Sequence, residues 1–128
     1  MSKYALKNID ELESLKKTYN KILIQFSANW CGPCRKITPE IQFLMDNNNK
    51  DDVTYIYCDI DQHDKLANNF QVSCIPSFSI YDRQTNSYLI GDQMKTESDI
   101  NKLKLFLIEN DIIDEENTSN STVKVCSS

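Results

Sequence analysis

The chain has 128 residues, of which 40% are hydrophobic, and a formal net charge of −5; this fits one domain with a single core and excludes disorder throughout. The acidity is concentrated in residues 109–128, and the nearly neutral remainder shows no basic face that would neutralise phosphates, so we expect no nucleic-acid partner. No apolar run approaches the roughly 20 residues of a membrane span, and the N-terminus has no signal-peptide stretch, so we expect no membrane contact and a cytoplasmic location.

The predicted strands and helices alternate along the chain. The stretch Lys21–Ala28 is almost entirely apolar, as expected of a strand covered on both faces. Asn8 or Asp10 caps the helix before it, and Pro39 predicts a kink in the helix after it. In chain order, we predict a strand at 4–7, a helix at 8–19, a strand at 21–28, a helix at 31–47, a strand at 53–59, a helix at 63–70, a strand at 77–81, a strand at 87–90 and a helix at 97–110.

This order, β-α-β-α-β-α-β-β-α, places the chain in the α/β class. Its first part predicts parallel strands joined by right-handed crossovers, and the late hairpin adds antiparallel strands. We expect one domain over residues 1–112 and an acidic, polar and flexible tail over 113–128. The tail carries Cys126 and two formal glycosylation sequons, at Asn117 and Asn120.

Two of the five cysteines, Cys31 and Cys34, lie where the buried strand turns into a helix. The unpaired N–H groups and the dipole at a helix N-terminus stabilise an anion there, and the thiolate is the nucleophile in disulfide exchange. We therefore expect Cys31 to attack a disulfide and Cys34, one helical turn further in, to resolve the mixed disulfide. Pro33 pre-sets the helical φ angle, and Gly32 lets a partner's backbone approach closely.

A zinc half-site is the alternative interpretation of this cysteine pair. It would require a second pair of Cys or His ligands at a suitable spacing. The sequence has no second CxxC motif, and His63 is its only histidine. We therefore predict no metal site and interpret His63 as a solvated residue near a helix start.

The segment over residues 26–36, FSANWCGPCRK, resembles the active-site segment of thioredoxins in the form common among eukaryotic members. The resemblance continues at Pro39, at residues 59–61 (DID), at Ile75-Pro76 and at Gly91, and it covers roughly residues 3–110. It implies the thioredoxin fold, a central mixed sheet of four to five strands flanked by about four helices. It also implies a protein-disulfide reductase that works through the Cys31/Cys34 dithiol.

The resemblance further implies a substrate-binding surface and a recycling scheme. Trp30, Ile75, Pro76 and Gly91 would form this surface beside Gly32 and Pro33, with a cis bond between Ile75 and Pro76. The family binds no cofactor, acts on disulfide-containing proteins as a monomer and is recycled by an NADPH-dependent thioredoxin reductase.

Three other functions stay open at this point. An oxidase or isomerase typically has histidine in place of Pro33. A protein-binding module on the same fold usually lacks the two cysteines, which this chain keeps. The third alternative is a dedicated electron donor to one partner enzyme.

The sequence departs from the family at Gln25, where thioredoxins usually have a buried acid, and at Tyr57, where the lysine that often pairs with that acid would lie. A buried carboxylate can accept the proton of the second cysteine, whereas glutamine cannot titrate. We therefore predict that Cys34 loses its proton more slowly or to solvent.

The other cysteines receive separate interpretations. Cys58 is interpreted as a buried apolar residue. Cys74 precedes Ile75-Pro76 and is a candidate for modulating the active site. Cys126 is interpreted as a free thiol.

Overall fold

The computed structural model describes residues 4–48 and 50–115, and its helices and strands follow the predicted α/β alternation. The part of the predicted tail from residue 116 onward, with Cys126 and both sequons, lies outside the described residues, so the division into domain and tail stays a prediction. The elements are α1 (Ile9–Thr18), β1 (Lys21–Ser27), α2 (Gly32–Asn48), β2 (Val53–Asp59), α3 (Asp64–Asn69), β3 (Ser77–Asp82), β4 (Ser87–Tyr88), a 3₁₀ turn (Gly91–Gln93), β5 (Lys95–Thr96) and α4 (Ile100–Glu109).

The strands form one mixed sheet in the order β2-β1-β3-β4, and β5 also pairs with β3. β1 runs parallel to β2, which puts Gln25 opposite Tyr57. It runs antiparallel to β3, which puts Phe26 opposite Ser77. The expected mixed sheet with flanking helices is therefore confirmed.

Each face of the sheet is covered by a different pair of helices. Because side chains alternate along a strand, Leu23 of β1 faces α2 and α4, where it packs with Ile41 and Leu107. Ile22, Ile24 and Phe26 face α1 and α3 on the other side. β1 is buried on both faces from Ile22 to Ser27, which explains its nearly continuous apolar sequence.

Helix caps set two of the boundaries. The Asn8 side chain accepts a hydrogen bond of 2.9 Å from the Glu11 N–H, so Asn8 rather than Asp10 caps α1. The predicted start of the last helix at Glu97 is wrong by three residues. Asp99 is the cap of α4, because its carboxylate accepts a hydrogen bond from the Asn101 N–H.

The edges of the sheet differ most from the prediction. The expected strand at 4–7 is reduced to one bridge, between Ala5 and Tyr57. β4 ends at Tyr88 instead of reaching Ile90, and the two-residue β5 was not predicted. Such short strands exist only because β3 offers them a partner.

Two lysines hold the end of the described chain against the sheet. The Lys21 ammonium donates to the carbonyl of Asn110 (2.7 Å), and the Lys50 ammonium lies 2.9 Å from the Asp114 carboxylate. The Asp114 N–H also donates to the Asn48 side chain (3.1 Å). These contacts lie at the start of β1, the end of the sheet away from Cys31.

No helix in the described residues is long and apolar enough to cross a membrane.

Candidate active site

Cys31 and Cys34 form a disulfide at the junction of β1 and α2, with their Cα atoms 5.3 Å apart. The Cys34 N–H donates to the Cys31 sulfur at 3.2 Å, so a backbone donor of the first helical turn faces this sulfur. Cys31 is 6% exposed and Cys34 is 1% exposed. Cys31, which is expected to attack, is thus more exposed than Cys34, which is expected to resolve the mixed disulfide.

Trp30 precedes Cys31 in the chain and is largely exposed. Its side chain is 66% exposed, although tryptophan is usually highly buried. Its indole N–H donates to the Asp61 carboxylate at 2.9 Å, and Asp61 is anchored in turn by its N–H to the Asp59 carboxylate. The loop after β2 therefore holds the indole in place beside Cys31.

The first turn of α2 is open around Gly32. A Cβ atom added to Gly32 would meet no other atom within 4 Å, and the adjacent Pro33 is exposed. The surface of α2 is therefore open at Gly32 and Pro33.

The Ile75-Pro76 bond is cis and lies at the same end of the sheet as the disulfide, because Ser77 pairs with Phe26 near the end of β1. Ile75 is half-buried and Pro76 is buried. Gly91 has a φ angle of +65°, and a Cβ atom there would lie 2.7 Å from the Gln71 amide oxygen. The positive φ angle favours glycine at this position, whereas the end of the exposed Gln71 side chain could move aside.

Gln25 lies at the centre of a buried hydrogen-bond network. Its amide oxygen accepts from the Tyr55 hydroxyl (2.6 Å), and its amide N–H groups donate to the hydroxyls of Ser27 (2.8 Å) and Thr38 (2.7 Å). The Thr38 hydroxyl donates to the carbonyl of Cys34 (2.7 Å). This Gln25 network, Tyr55–Gln25–Ser27/Thr38, therefore ends on the backbone of the second cysteine.

Tyr55 and Thr38 are the site residues that the sequence interpretation missed. Tyr55 is 1% exposed and reads as an ordinary core aromatic, and Thr38 reads as a helical residue. Two signals were present in the sequence. Tyr55 shares a strand face with Tyr57, two residues away, and Thr38 follows Cys34 by four residues, one helical turn.

Tyr57 lies opposite Gln25 in the parallel pair and is half-buried. Burial, followed by the nearby Asp59 carboxylate, raises the pKa of its hydroxyl above the usual value. Tyr57 lines an open cleft of about 390 Å³ beside Thr38 and Pro39. A neutral phenol thus stands where the resemblance placed a lysine.

The remaining cysteines differ in accessibility. Cys58 is fully buried, and burial followed by Asp59 raises the pKa of its thiol to about 12. Cys74 is an exposed free thiol, and its carbonyl accepts a hydrogen bond from the Ser77 hydroxyl. In the chain, Cys74 directly precedes the cis Ile75-Pro76 pair.

The interpretation of His63 as a solvated residue needs correction. The side chain is half-buried and its Nε2 lies 3.0 Å from the carbonyl oxygen of Leu6. His63 thus links the start of α3 to the N-terminal bridge. Among residues 4–48 and 50–115, no three His, Cys, Asp or Glu side chains gather as a set of metal ligands.

Comparison with known proteins identifies the family. The sequence model of the family described as "Thioredoxin" matches residues 6–109. The chain belongs to the thioredoxin family. Thioredoxins are protein-disulfide oxidoreductases, and this chain exchanges thiols and disulfides through the Cys31/Cys34 pair.

The similar proteins include thioredoxins from several eukaryotes. Pig thioredoxin is 30% identical over 105 residues, which cover 80% of this chain and 93% of the relative. Mitochondrial thioredoxin-3 of Saccharomyces cerevisiae is 33% identical over 87 residues, 67% of each chain. Thioredoxin H2 of Arabidopsis thaliana is 36% identical over 69 residues, which span 54% of this chain and 50% of the relative.

Solved structures agree with the fold. The oxidised form of Saccharomyces cerevisiae mitochondrial thioredoxin 3 superposes with a TM-score of 0.69 at 27% identity, covering 82% of this chain and 92% of the other. A second structure comes from work on the thiol resolving mechanism in yeast mitochondrial 1-Cys peroxiredoxin via glutathione/thioredoxin systems. It matches with a TM-score of 0.69 at 26% identity, over 84% of this chain and 99% of the other.

Proposed function

We propose that this thioredoxin works as a reductase in which Cys31 is the attacking and Cys34 the resolving residue. The carrying observation is the position of the disulfide: the Cys31 sulfur accepts a hydrogen bond from the first-turn N–H of Cys34, and the second sulfur is the more buried. A helix N-terminus stabilises negative charge on the first sulfur. The second is protected from other disulfides until the mixed disulfide forms.

The reaction takes place in two exchanges. The Cys31 thiolate attacks one sulfur of a substrate disulfide, so that a mixed disulfide forms and the other substrate sulfur leaves as a thiolate, which takes a proton from solvent. Cys34 then loses its proton and attacks the Cys31 sulfur. This closes the Cys31–Cys34 disulfide and releases the second substrate thiol. The substrate gains two electrons and two protons, and the protein dithiol is oxidised.

Gln25 gives the second exchange its particular character. Both N–H groups and the oxygen of its amide are already hydrogen-bonded within the Gln25 network, and an amide does not titrate near neutral pH. The proton of Cys34 therefore goes to solvent in our proposal. The surface of Trp30, Gly32, Pro33, Ile75, Pro76 and Gly91 would bind the substrate chain, with Cys74 at its border.

A reductase cycle requires a source of electrons and a set of acceptors. In the proposed scheme, an NADPH-dependent thioredoxin reductase returns two electrons to the Cys31–Cys34 disulfide. Disulfide-containing proteins are the acceptors, and peroxiredoxins are the first class to test in view of the yeast structure described above. We further propose that the protein is cytoplasmic and monomeric; a fluorescent fusion and the molar mass from light scattering test these two points.

Reduction of insulin by dithiothreitol tests the activity. The wild-type protein should accelerate the precipitation of insulin B chain, and Cys31→Ser should not. A parallel assay replaces dithiothreitol by NADPH and thioredoxin reductase and follows NADPH consumption. An inactive wild type in both assays would favour a binding module instead, and activity with dithiothreitol alone would refute only the recycling scheme.

A further inference from the structure

The Gln25 network joins three elements of the fold at one point. Tyr55 comes from β2, Gln25 and Ser27 come from β1, and Thr38 comes from α2. Gln25 and Ser27 are fully buried, and Tyr55 is 1% exposed. No buried side-chain nitrogen or oxygen atom of the described residues lacks a hydrogen-bond partner. The network is thus closed, and removal of one member leaves another buried polar group unpaired.

The directions of the hydrogen bonds are fixed by the chemistry of the groups. An amide nitrogen only donates, so the oxygen of Thr38 must accept from Gln25. The single hydroxyl proton of Thr38 is then left for the carbonyl of Cys34. Gln25 therefore orients the Thr38 hydroxyl toward the backbone of the resolving cysteine.

A threonine in helix α1 provides a natural comparison. The Thr18 hydroxyl also donates to the carbonyl four residues earlier, that of Ser14, at 3.2 Å on the exposed surface. The equivalent bond of Thr38 is shorter, at 2.7 Å, and is held from behind by Gln25. Both threonines donate to the carbonyl four residues earlier. Only Thr38 also accepts a hydrogen bond from the buried Gln25.

We propose that Thr38 is a positioning residue for the second exchange: its hydroxyl, held by Gln25, fixes the first turn of α2 so that Cys34 can reach the sulfur of Cys31 within the mixed disulfide. This proposal rests on the roles assigned to the two cysteines above. The effect should fall mainly on Cys34, because the Thr38 hydroxyl bonds to the carbonyl of Cys34, whereas the charge on the Cys31 sulfur is stabilised by the N–H of Cys34.

The test follows the two exchanges separately. The reduced protein is mixed rapidly with the chromogenic disulfide dithiobis(nitrobenzoic acid), which releases one coloured thiolate when Cys31 attacks and a second when Cys34 resolves. The variants are made in a Cys74→Ser, Cys126→Ser background, since the exposed thiol of Cys74 would add its own signal and Cys126 is a further cysteine of the sequence. A slightly acidic buffer slows both phases, because less thiolate is present.

Thr38→Val keeps the shape of the side chain and removes the hydroxyl. We expect the second phase to slow about tenfold, the rate equivalent of one hydrogen bond, and the first phase to stay within about twofold. Thr38→Ser should restore the second phase because it keeps the hydroxyl. Thr18→Val, the matched control in α1, should leave both phases unchanged.

The outcomes separate this inference from the proposed function. Two phases in the wild type together with an unaffected or faster second phase in Thr38→Val would overturn the positioning role alone. Equal slowing of both phases, or no rescue by serine, would also overturn it, since each indicates a general loss of structure. If Thr38→Val does not fold, Thr38→Ala compared with Thr38→Ser gives the same contrast of one hydroxyl. A wild type that releases only one thiolate would refute the proposed roles of the cysteines instead.

Discussion

Cys34 lies in the first turn of α2 beside hydrogen-bonded polar side chains, whereas Cys58 lies near the end of β2 among apolar ones such as Phe26 and Phe70. Both are buried, at 1% and 0% exposure. Cys34 takes part in thiol–disulfide exchange through its disulfide bond to Cys31. Burial raises the pKa of Cys58 to about 12 and keeps it a protonated thiol. Reactivity therefore follows from the place of a cysteine in the fold, and burial alone does not determine it.

The largest effect that tests this contrast is expected from Cys34→Ser. The first exchange survives and the second is lost, so a mixed disulfide on Cys31 should accumulate and insulin-reduction turnover should fall by at least about a thousandfold, because an intramolecular step has become bimolecular. Mass spectrometry detects the trapped adduct. Cys58→Ala, the control, should keep turnover within about twofold, because it changes only an apolar contact; a comparable loss in this control would contradict the contrast.

A smaller effect is expected when a titratable group is placed at position 25, which is connected to Cys34 through Thr38. Gln25→Asp supplies a buried carboxylate, which burial keeps able to accept a proton near neutral pH. We expect turnover to rise severalfold, and by about a hundredfold if the full contribution of a general base is gained. Gln25→Asn is the matched control, with the same shortened side chain and no titratable oxygen. Turnover of Gln25→Asp that does not exceed that of Gln25→Asn would count against the proposed loss of the Cys34 proton to solvent.

The last effect concerns the stability of the fold at alkaline pH and not the rate of exchange. The thiol of Cys58 ionises near 9.0 when exposed but has a pKa of about 12 in the folded protein. Between these values the folded state holds a proton that the unfolded state has lost, so the free energy of unfolding falls with rising pH. Cys58 should account for about 1.4 kcal/mol of this fall per pH unit.

Urea unfolding of the reduced protein at several pH values above 9.0 measures this slope. Buried tyrosines such as Tyr55, whose pKa is also raised by burial, contribute equally to the wild type and to Cys58→Ala. The difference between the two proteins therefore isolates Cys58. Parallel curves for the two proteins would show that Cys58 does not hold its proton in the folded state.

The central elements were predictable because their patterns are strong. β1 is a nearly continuous apolar run interrupted by Gln25, and α2 follows a motif that marks a strand-to-helix junction. β5 was missed because the two residues Lys95 and Thr96 carry no pattern of their own and form a strand only against β3. α4 begins at Ile100 and not at Glu97, because the carboxylate of Asp99 caps the helix.

In the candidate site, as in the fold, the residues of a sequence motif were predictable and the contacts between distant segments were not. The cysteine motif and the departure at Gln25 could be read from the chain, because each is tied to a fixed position in a motif. What surrounds Gln25 could not be read, because the contact with Tyr55 depends on the register of two strands distant in sequence. The role of Thr38 depends on a second contact of Gln25, to a residue of the helix α2.

The lysine contacts at the end of the described chain indicate where the protein can be attached to a sensor surface. Lys21 and Lys50 fix residues 110–114 at the start of β1, and the seven residues of β1 extend for roughly 20 Å from there toward Cys31. A biotin or dye attached at the exposed Glu115 would therefore leave the disulfide facing the solution. The protein could then capture substrates from a sensor chip in one defined orientation.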